Sequence, residues 1–487
     1  MRLGDRLGVD VETASQTFYA TLLAHVGCTA DAEIGAEIFG TNTATHILPT
    51  LFGSRTEMLV AILRTLPDPG SSPVARTAQI ARRLPKAAAH NRVHLATVCE
   101  VGQMLTRRLG LPTSVQQLFA HITERWDGKG FPGRAKREEI PLPMRITHVA
   151  RDATLQLTLG GIERAATVVQ ARAGGAFDPA IAALLADEAH ELMAPEGDGS
   201  AWDLVLNGEP SPRLVLEGES IDRALAAIGD FADLASPYLV GHSAGVAHLA
   251  AEAARRRGLR PEKVITVRRS AFVHDVGRVA VPARIWQKPT PLTTDEWERV
   301  RLHAYHSERI LARSPFLAAL TPATFHHERL DGSGYHRGAR GPAIEPCSRL
   351  LAVADAYHAM TEPRPHRAPH SPEHAASILS DEAGAGRLDG DAVAAVLDAA
   401  GHPVPRIERP AGLTEREAEV IGLVARGLQT KQVARALGIS SKTADRHIQN
   451  AYGKIGVSTR AAAALFAMEH GLATWGELPI SRTADRS

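Results

Sequence analysis

Cysteine is scarce in this 487-residue chain, which has only Cys28, Cys99 and Cys347. Three widely spaced thiols give no disulfide framework and no CxxC pair, so zinc ribbons are excluded and a reducing cytoplasm is the expected compartment. Net charge is also nearly absent. With 55 Lys and Arg against 54 Asp and Glu, no global field attracts a polyanion, and any nucleic-acid role must be local. No uninterrupted apolar run reaches membrane-spanning length, so no membrane partner is expected. The opening MRLGDRLGVDVETAS is charged, lacks an apolar core and does not read as a secretory signal. Sustained period-two alternation is missing too, which argues against sheets.

Amphipathic helical segments fill the chain instead. Stretches such as 246–259 and 391–401 are rich in alanine and leucine with apolar residues at helical spacing, so the fold class expected is all-α. The length suggests about three domains. APEGDGSAWDLVLNGEPSPRLVLEGES, from Ala194, is rich in Gly, Pro and acid; it reads as a boundary with room for a short strand pair. A second boundary, HPVPRIERPAG, carries prolines at 403, 405 and 410 that no helix would run through.

The chain repeats itself. Gly8 and Gly27 bracket one segment with the same spacing as Gly258 and Gly277; ERWDGKGFP from Glu124 matches ERLDGSGYH from Glu328; IPLPMRITHVARD matches IEPCSRLLAVAD. AATVVQARAGGAFDP, from Ala165, resembles AASILSDEAGAGRLDG, from Ala375. In this register His274-Asp275 of the second copy faces Ala24-His25 of the first, His326-His327 faces Ile122-Thr123, and Asp355 faces Arg151. The first copy keeps the scaffold and lacks the metal-capable groups, a pattern suited to packing, dimerisation or sensing.

The second copy offers His242, His274, Asp275, His303, His326, His327 and Asp355 in order. Imidazole and carboxylate without thiolate suit iron, manganese or zinc. An aspartate shared by two ions is a device for activating water against a phosphoester. With Asp331, Gly332, Ser333, Gly334 and Tyr335 in the series, residues 225 to 400 resemble the HD-GYP subgroup of the HD phosphohydrolases. The resemblance implies an all-helical domain that binds two or three iron or manganese ions and hydrolyses cyclic di-GMP. It places His242, His274, Asp275 and Asp355 on one ion and His303, His326 and His327 on a second, with Asp275 bridging. Tyr238 stands where some members use an acidic ligand for a third ion, so two are expected here. Glu328 and Asp331 are expected to form the turn or orient ligands. His306, His358, His366, His370 and His374 are expected to be surface or polar-network residues.

The same resemblance assigns catalytic roles to Asp275 and Arg278, and ligand contacts to Arg278, Gly332, Gly334, Tyr335, Arg364 and Arg367. Departures from the family pattern bear on the substrate. Arg278 replaces a lysine, His336 a proline, Leu330 a tryptophan and Gly245 an arginine.

Local positive charge appears at the C-terminal end. Between Leu413 and Trp475, Arg416, Arg426, Lys431, Arg435, Lys442, Arg446, Lys454 and Arg460 outnumber five acids. Thr414 and Glu417 predict a capping box, Gly427 and Gly438 end two short helices, and Ser440 starts a third. The segments LTERE, ARG, VA and SKT, followed by His447, Asn450 and Lys454, resemble the LuxR-type DNA-binding domain. That resemblance puts the helix from Ser441 to about Ile455 in the major groove of double-stranded DNA. Lys442, Thr443, His447, Asn450 and Lys454 would position the backbone, and Asp445, Arg446 and Gln449 would face bases. The following RAAAALFAMEHGL presents a small-residue face suited to pairing two such domains as a homodimer.

The expected architecture is therefore a degenerate HD-GYP-like domain (1–195), a linker (196–224), a metal-binding HD-GYP-like domain (225–402), a linker (403–411) and a helix-turn-helix domain (412–477). The function expected is a cytoplasmic transcriptional regulator carrying a metal-dependent phosphohydrolase site for a nucleotide or other phosphoester. The alternative is a catalytically inactive, nucleotide-sensing transcription factor.

Overall fold

Side-chain caps set many of the helix starts. Asp10, Ser54, Ser72, Asp178, Ser200, Thr293, Ser371, Asp389 and Ser440 each accept a backbone N–H of the first turn, satisfying donors that no helix can satisfy for itself. The computed structural model describes residues 1–26, 38–39, 47–68, 70–194, 200–402, 410–425, 427–458, 460–469 and 472. Gly27, Cys28, Pro403, Pro405, Arg426 and Trp475 lie outside them. The described residues hold helices and no strand, only two isolated bridges, Ala173 with Phe177 and Arg364 with Arg367. The strand pair expected between 194 and 220 does not form: the described part holds the Ala201–Asn207 helix and then irregular chain. No described helix is long and apolar enough to cross a membrane.

The chain divides into two units, Met1–His402 and Pro403–Ser487. The first contains both repeats, and the same hydrogen bonds recur in each. Phe131 N–H donates to Thr123 and Tyr335 N–H to His327; Arg137 N–H donates to Trp126 and Gly341 N–H to Leu330. Glu124 accepts from the N–H groups of Gly133 and Arg134, and Glu328 from those of Arg337 and Ala339. These glutamates brace the glycine turn, as expected of Glu328. Ion pairing of Arg108 with Asp230 and the Tyr19–Glu209 hydrogen bond, 2.5 Å, tie the first repeat to the chain beyond it.

Apolar periodicity decides what each helix buries. In the second repeat, Val246, Ala247, Ala250 and Ala254 of the His242–Arg256 helix meet Leu350, Leu351 and Ala354 of Pro346–Thr361 and Val393, Val396 and Leu397 of Gly390–Ala399. Alanines at this spacing let the helices approach closely. In the first repeat, Ile146, Val149 and Ala153 pack on Ile181, Ala182 and Leu185.

In the second unit, Glu415–Ala425, Thr430–Ala436, Ser441–Ile455 and Arg460–Glu469 enclose Val420, Ile421, Val424, Val433, Ile448 and Ala451. The capping box forms as expected: Thr414 N–H donates to Glu417 (2.8 Å) and Glu417 N–H to Thr414 Oγ1 (3.3 Å). Gly427 and Gly438 take the left-handed backbone that ends their helices. Ala463 and Ala467 are buried in this unit's own core.

Candidate metal centre

Five chain segments converge on one buried point. His242 opens a helix behind Gly241, which adopts φ +84°. His274 ends the Pro261–Val273 helix and Asp275 starts the next short turn. His303 projects from Thr294–Leu311, His326 and His327 leave the turn after Thr324, and Asp355 sits on Pro346–Thr361. Close packing fixes the Asp275 turn: a Cβ on Gly277 would fall 2.1 Å from the His303 carbonyl oxygen. Ser307 donates to the His274 carbonyl at 2.7 Å and accepts from Gly277 N–H at 2.9 Å.

The two oxygens of Asp275 face different partners. Oδ2 lies 2.9 Å from His274 Nε2 and 3.5 Å from His242 Nε2; Oδ1 lies 3.2 Å from His303 Nε2 and 3.5 Å from His326 Nε2. Asp355 Oδ1 is 3.1 Å from His242 Nε2. Two four-residue groups result, His242–His274–Asp275–Asp355 and Asp275–His303–His326–His327, sharing Asp275. All seven residues expected from the sequence are brought together.

The imidazole tautomers can be read from the backbone. Nδ1 of His274, His303 and His326 lies 2.7, 2.5 and 2.7 Å from the carbonyl oxygens of Ala271, Val300 and Ala323. A carbonyl only accepts, so each Nδ1 holds the proton and each Nε2 of a neutral ring is a lone pair. His303 Nε2 nevertheless lies 3.2 Å from His326 Nε2 and 3.1 Å from His327 Nε2. Two acceptors cannot bond each other, but both can bond one cation. Nitrogens about 2.1 Å from a common ion sit about 3.2 Å apart when the angle between them is about 100°. His274 Nε2 and Asp275 Oδ1, both buried, lack a hydrogen-bond partner. These residues fit a divalent metal pair.

Electrostatics agree with that fit. Burial, then the charge of His274, lowers His326 to about 4, and burial with its two histidine neighbours holds His327 well below the usual imidazole range. Burial also pushes His242 and His274 down, but the carboxylates outweigh it. Asp275, Asp355 and Glu362 raise His242 to about 10, and Asp275 and Asp355 raise His274 to about 9. Asp275 and Asp355 themselves stay well below the usual carboxylate range, held against burial by Arg278 and the surrounding imidazoles. The pocket favours positive charge, and proton and metal compete for the same lone pairs.

Around this centre the expected ligand-contact residues divide. Arg278 is buried, with Nη2 2.5 Å from Asp275 Oδ2 and its guanidinium over Trp286. Tyr335 stacks on His327, centroids 4.6 Å apart, and burial raises its pKa. Arg364 donates to the Tyr238 carbonyl (2.8 Å) and Glu362 (3.1 Å). Arg367 spends its guanidinium on the carbonyls of Ala359 (2.7 Å) and Met360 (3.0 Å), closing a helix end. Gly332, φ +82°, and Gly334 are required by the turn itself, since a Cβ on Gly334 would lie 2.5 Å from Arg329 N. His336 pairs with Glu308 at 2.8 Å.

Two residues of the site were missed. Glu362 lies 2.9 Å from His242 Nδ1 and 3.2 Å from His358 Nδ1, and with His242 and His358 it forms a third metal-capable group. His358, expected to be peripheral, also explains Gly245: a Cβ there would fall 1.9 Å from His358 Nε2, in the space an arginine would need. The signal was in the sequence, because Asp355, His358 and Glu362 follow the i, i+3, i+7 spacing of one helix face.

On the Ser441–Ile455 helix, Ala444, Ile448, Ala451 and Tyr452 are buried, while Lys442, Asp445, Arg446, Gln449 and Asn450 are exposed. Thr443 and His447 are half-buried. Lys454 is engaged within its own unit, donating to Glu417 (2.6 Å) and the Gly412 carbonyl (3.1 Å).

A model of the HD domain matches residues 78–181 and 227–392, more than half of the chain and part of each repeat. The chain belongs to the HD-domain family. A model of the luxR family of bacterial regulatory proteins matches residues 411–467, so this HD protein carries a LuxR-type domain. Among curated proteins, the chain is 30% identical over 390 residues to the 3'3'-cGAMP-specific phosphodiesterase 3 of Vibrio cholerae, covering 78% of this chain and 84% of that one. It is 37% identical over 137 residues to a cyclic di-GMP phosphodiesterase of Thermotoga maritima, covering 28% and 37%. A crystal structure of a cyclic GMP-AMP specific phosphodiesterase from V. cholerae superposes with a TM-score of 0.52 at 25% identity, over 82% of this chain and 90% of that one. The HD match to residues 78–181 agrees with the repeat read from the sequence.

Proposed function

We propose that residues 225–402 form a two-metal phosphodiesterase of cyclic dinucleotides, and that residues 412–477 read double-stranded DNA, making the chain a cytoplasmic regulator that acts as a homodimer. In the same reading, residues 1–195 are an HD scaffold without metal ligands. Asp275 carries the proposal: its two oxygens serve two separate sets of imidazoles. The cyclic dinucleotide phosphodiesterase activities for which the V. cholerae and T. maritima relatives are named support the substrate class.

Bound cations, iron or manganese by the family resemblance, would supply activated water and neutralise charge on the phosphoryl group. The chain's own residues prepare that chemistry. His242, His274, Asp275 and Asp355 would hold one ion, and His303, His326 and His327, with Asp275, the other. The carbonyls of Ala271, Val300 and Ala323 fix the rings that present Nε2. Arg278 keeps a permanent cation beside Asp275, and Tyr335 covers His327. The exposed Lys442, Arg446 and Asn450 support contacts to DNA phosphate and bases.

Anaerobically purified protein should hydrolyse cyclic di-GMP or 3'3'-cGAMP to a linear product, and Asp275→Ala should abolish this. Loss of neither metal nor turnover in that variant would end the proposal. A second reading, nucleotide sensing without turnover, is favoured by Arg367 capping a helix and His358 filling the space beside Gly245. It predicts cyclic dinucleotide binding that changes DNA affinity with no linear product formed.

A further inference from the structure

The first repeat has lost the metal ligands, yet it contains a cavity of about 400 Å³ in the face of the Leu142–Ala171 helix. The wall opposite is the Arg55–Thr65 helix with the turn Leu48–Thr50. Its polar lining is mainly basic: Arg64, Arg164 and Arg172, with Gln156 and a single acid, Glu57. Val60, Ala61, Leu159 and Val168 supply an apolar wall.

The cavity is built around a break in one helix. Gly160 and Gly161 interrupt Leu142–Ala171 with φ −169°, ψ 21° and φ +80°, ψ −177°. A Cβ on Gly160 would lie 2.5 Å from Arg164 Cδ, so glycine leaves the room through which Arg164 folds back. Arg164 Nε then donates to Gln156 Oε1 at 3.1 Å. Gln156 and Arg172 form the floor, 1% and 8% exposed. Asp152 and the Pro49 carbonyl hold Arg172 in place, and its Nε finds no acceptor. Arg64 and Arg164 are exposed and form no ion pair among the described residues. In the register of the repeats this break stands where the second copy carries the longer connection with Arg364 and Arg367.

We propose that this cavity is a metal-free binding site for a small organic phosphate of about nucleoside monophosphate size. Arg64 and Arg164 take the phosphate through planar donor pairs, and the apolar wall receives the base. Arg172, its charge met by Asp152, shapes the floor. The site is separate from the metal centre and does not depend on the activity proposed for it.

The test is calorimetric titration of the full-length protein with guanosine monophosphate, adenosine monophosphate, inorganic phosphate and guanosine. At least one monophosphate should bind saturably and guanosine should not. Arg64→Glu and Arg164→Glu, both at exposed positions, should each weaken that binding at least tenfold, and Arg164→Lys should retain part of it. Asp275→Ala should leave it unchanged. Absence of saturable monophosphate binding, binding indifferent to both charge reversals, or binding lost in Asp275→Ala instead would each overturn the proposal. Unchanged circular dichroism and melting of the variants separates loss of the site from loss of the fold.

Discussion

Replacing Asp152 by alanine tests what holds the first repeat together. Asp152 is 2% exposed and accepts twice from Arg172 Nη1, at 2.8 and 2.7 Å. Burial pushes its carboxyl upward and Arg172 pulls it back. Removing the carboxylate leaves a guanidinium that is 8% exposed with only Glu57, 3.7 Å away and half exposed, as a counter-charge. Breaking one side of a buried pair costs about 3–5 kcal/mol. The Glu57 contact and the Pro49 carbonyl bond place this case at the lower end. For a region of about 150–250 residues each kcal/mol moves the melting point by about 2–4 °C, so a fall of about 6–12 °C is expected. Scanning calorimetry reads the transition, and hydrogen exchange should localise the loss to the amides of Leu48, Thr50 and the Leu142–Ala171 helix. The double variant Asp152→Leu/Arg172→Met removes both charges and should recover much of the stability. A single-variant shift under about 2 °C, or a double variant worse than the single, would show that the Asp152–Arg172 pair does not hold this region together.

Burial, then Arg151, lowers His148 to about 3 while its Nε2 bonds the His121 carbonyl at 3.0 Å. The unfolded chain therefore binds a proton that the folded one refuses below about pH 6.5, and stability falls as pH drops from there toward 3 by up to about 1.4 kcal/mol per unit. His148→Phe should remove that part of the slope in urea titrations between pH 4 and 6.5; an unchanged slope would reject the assignment. Glu362→Gln should weaken metal retention at His242 about 10- to 100-fold in competition with a chelator, the range for a carboxylate orienting a histidine ligand; equal retention would make Glu362 incidental. Lys442→Ala, if Lys442 meets phosphate, should weaken binding to all duplexes alike and reduce the salt slope by about 0.9. A sequence-selective loss would place it on a base instead.

Motif order made much of this protein legible. His274-Asp275 and His326-His327 are adjacent pairs whose positions in the series can be recognised without coordinates, and the internal repeat is visible as matched glycine turns. The capping box at Thr414 was legible for the same reason, because its chemistry is local. Tertiary substitutions were not. That His358 fills the space beside Gly245 depends on two helices crossing, and Arg367's capping role depends on where the preceding helix stops. The strand pair near 210 failed because Gly, Pro and acid-rich composition signals a boundary but not its conformation. The pairing of Lys454 with Glu417 was not legible either, because it joins two helices.

The most direct measurement is metal stoichiometry of anaerobically purified wild-type protein and Asp275→Ala by elemental analysis, with folding of both verified by circular dichroism. The shared Asp275 predicts two divalent ions per chain in the wild type and loss of both ions in the variant, because one carboxylate serves both groups of imidazoles. Full metal content in a folded Asp275→Ala protein, or none in a folded wild type after reconstitution with iron or manganese, would contradict it.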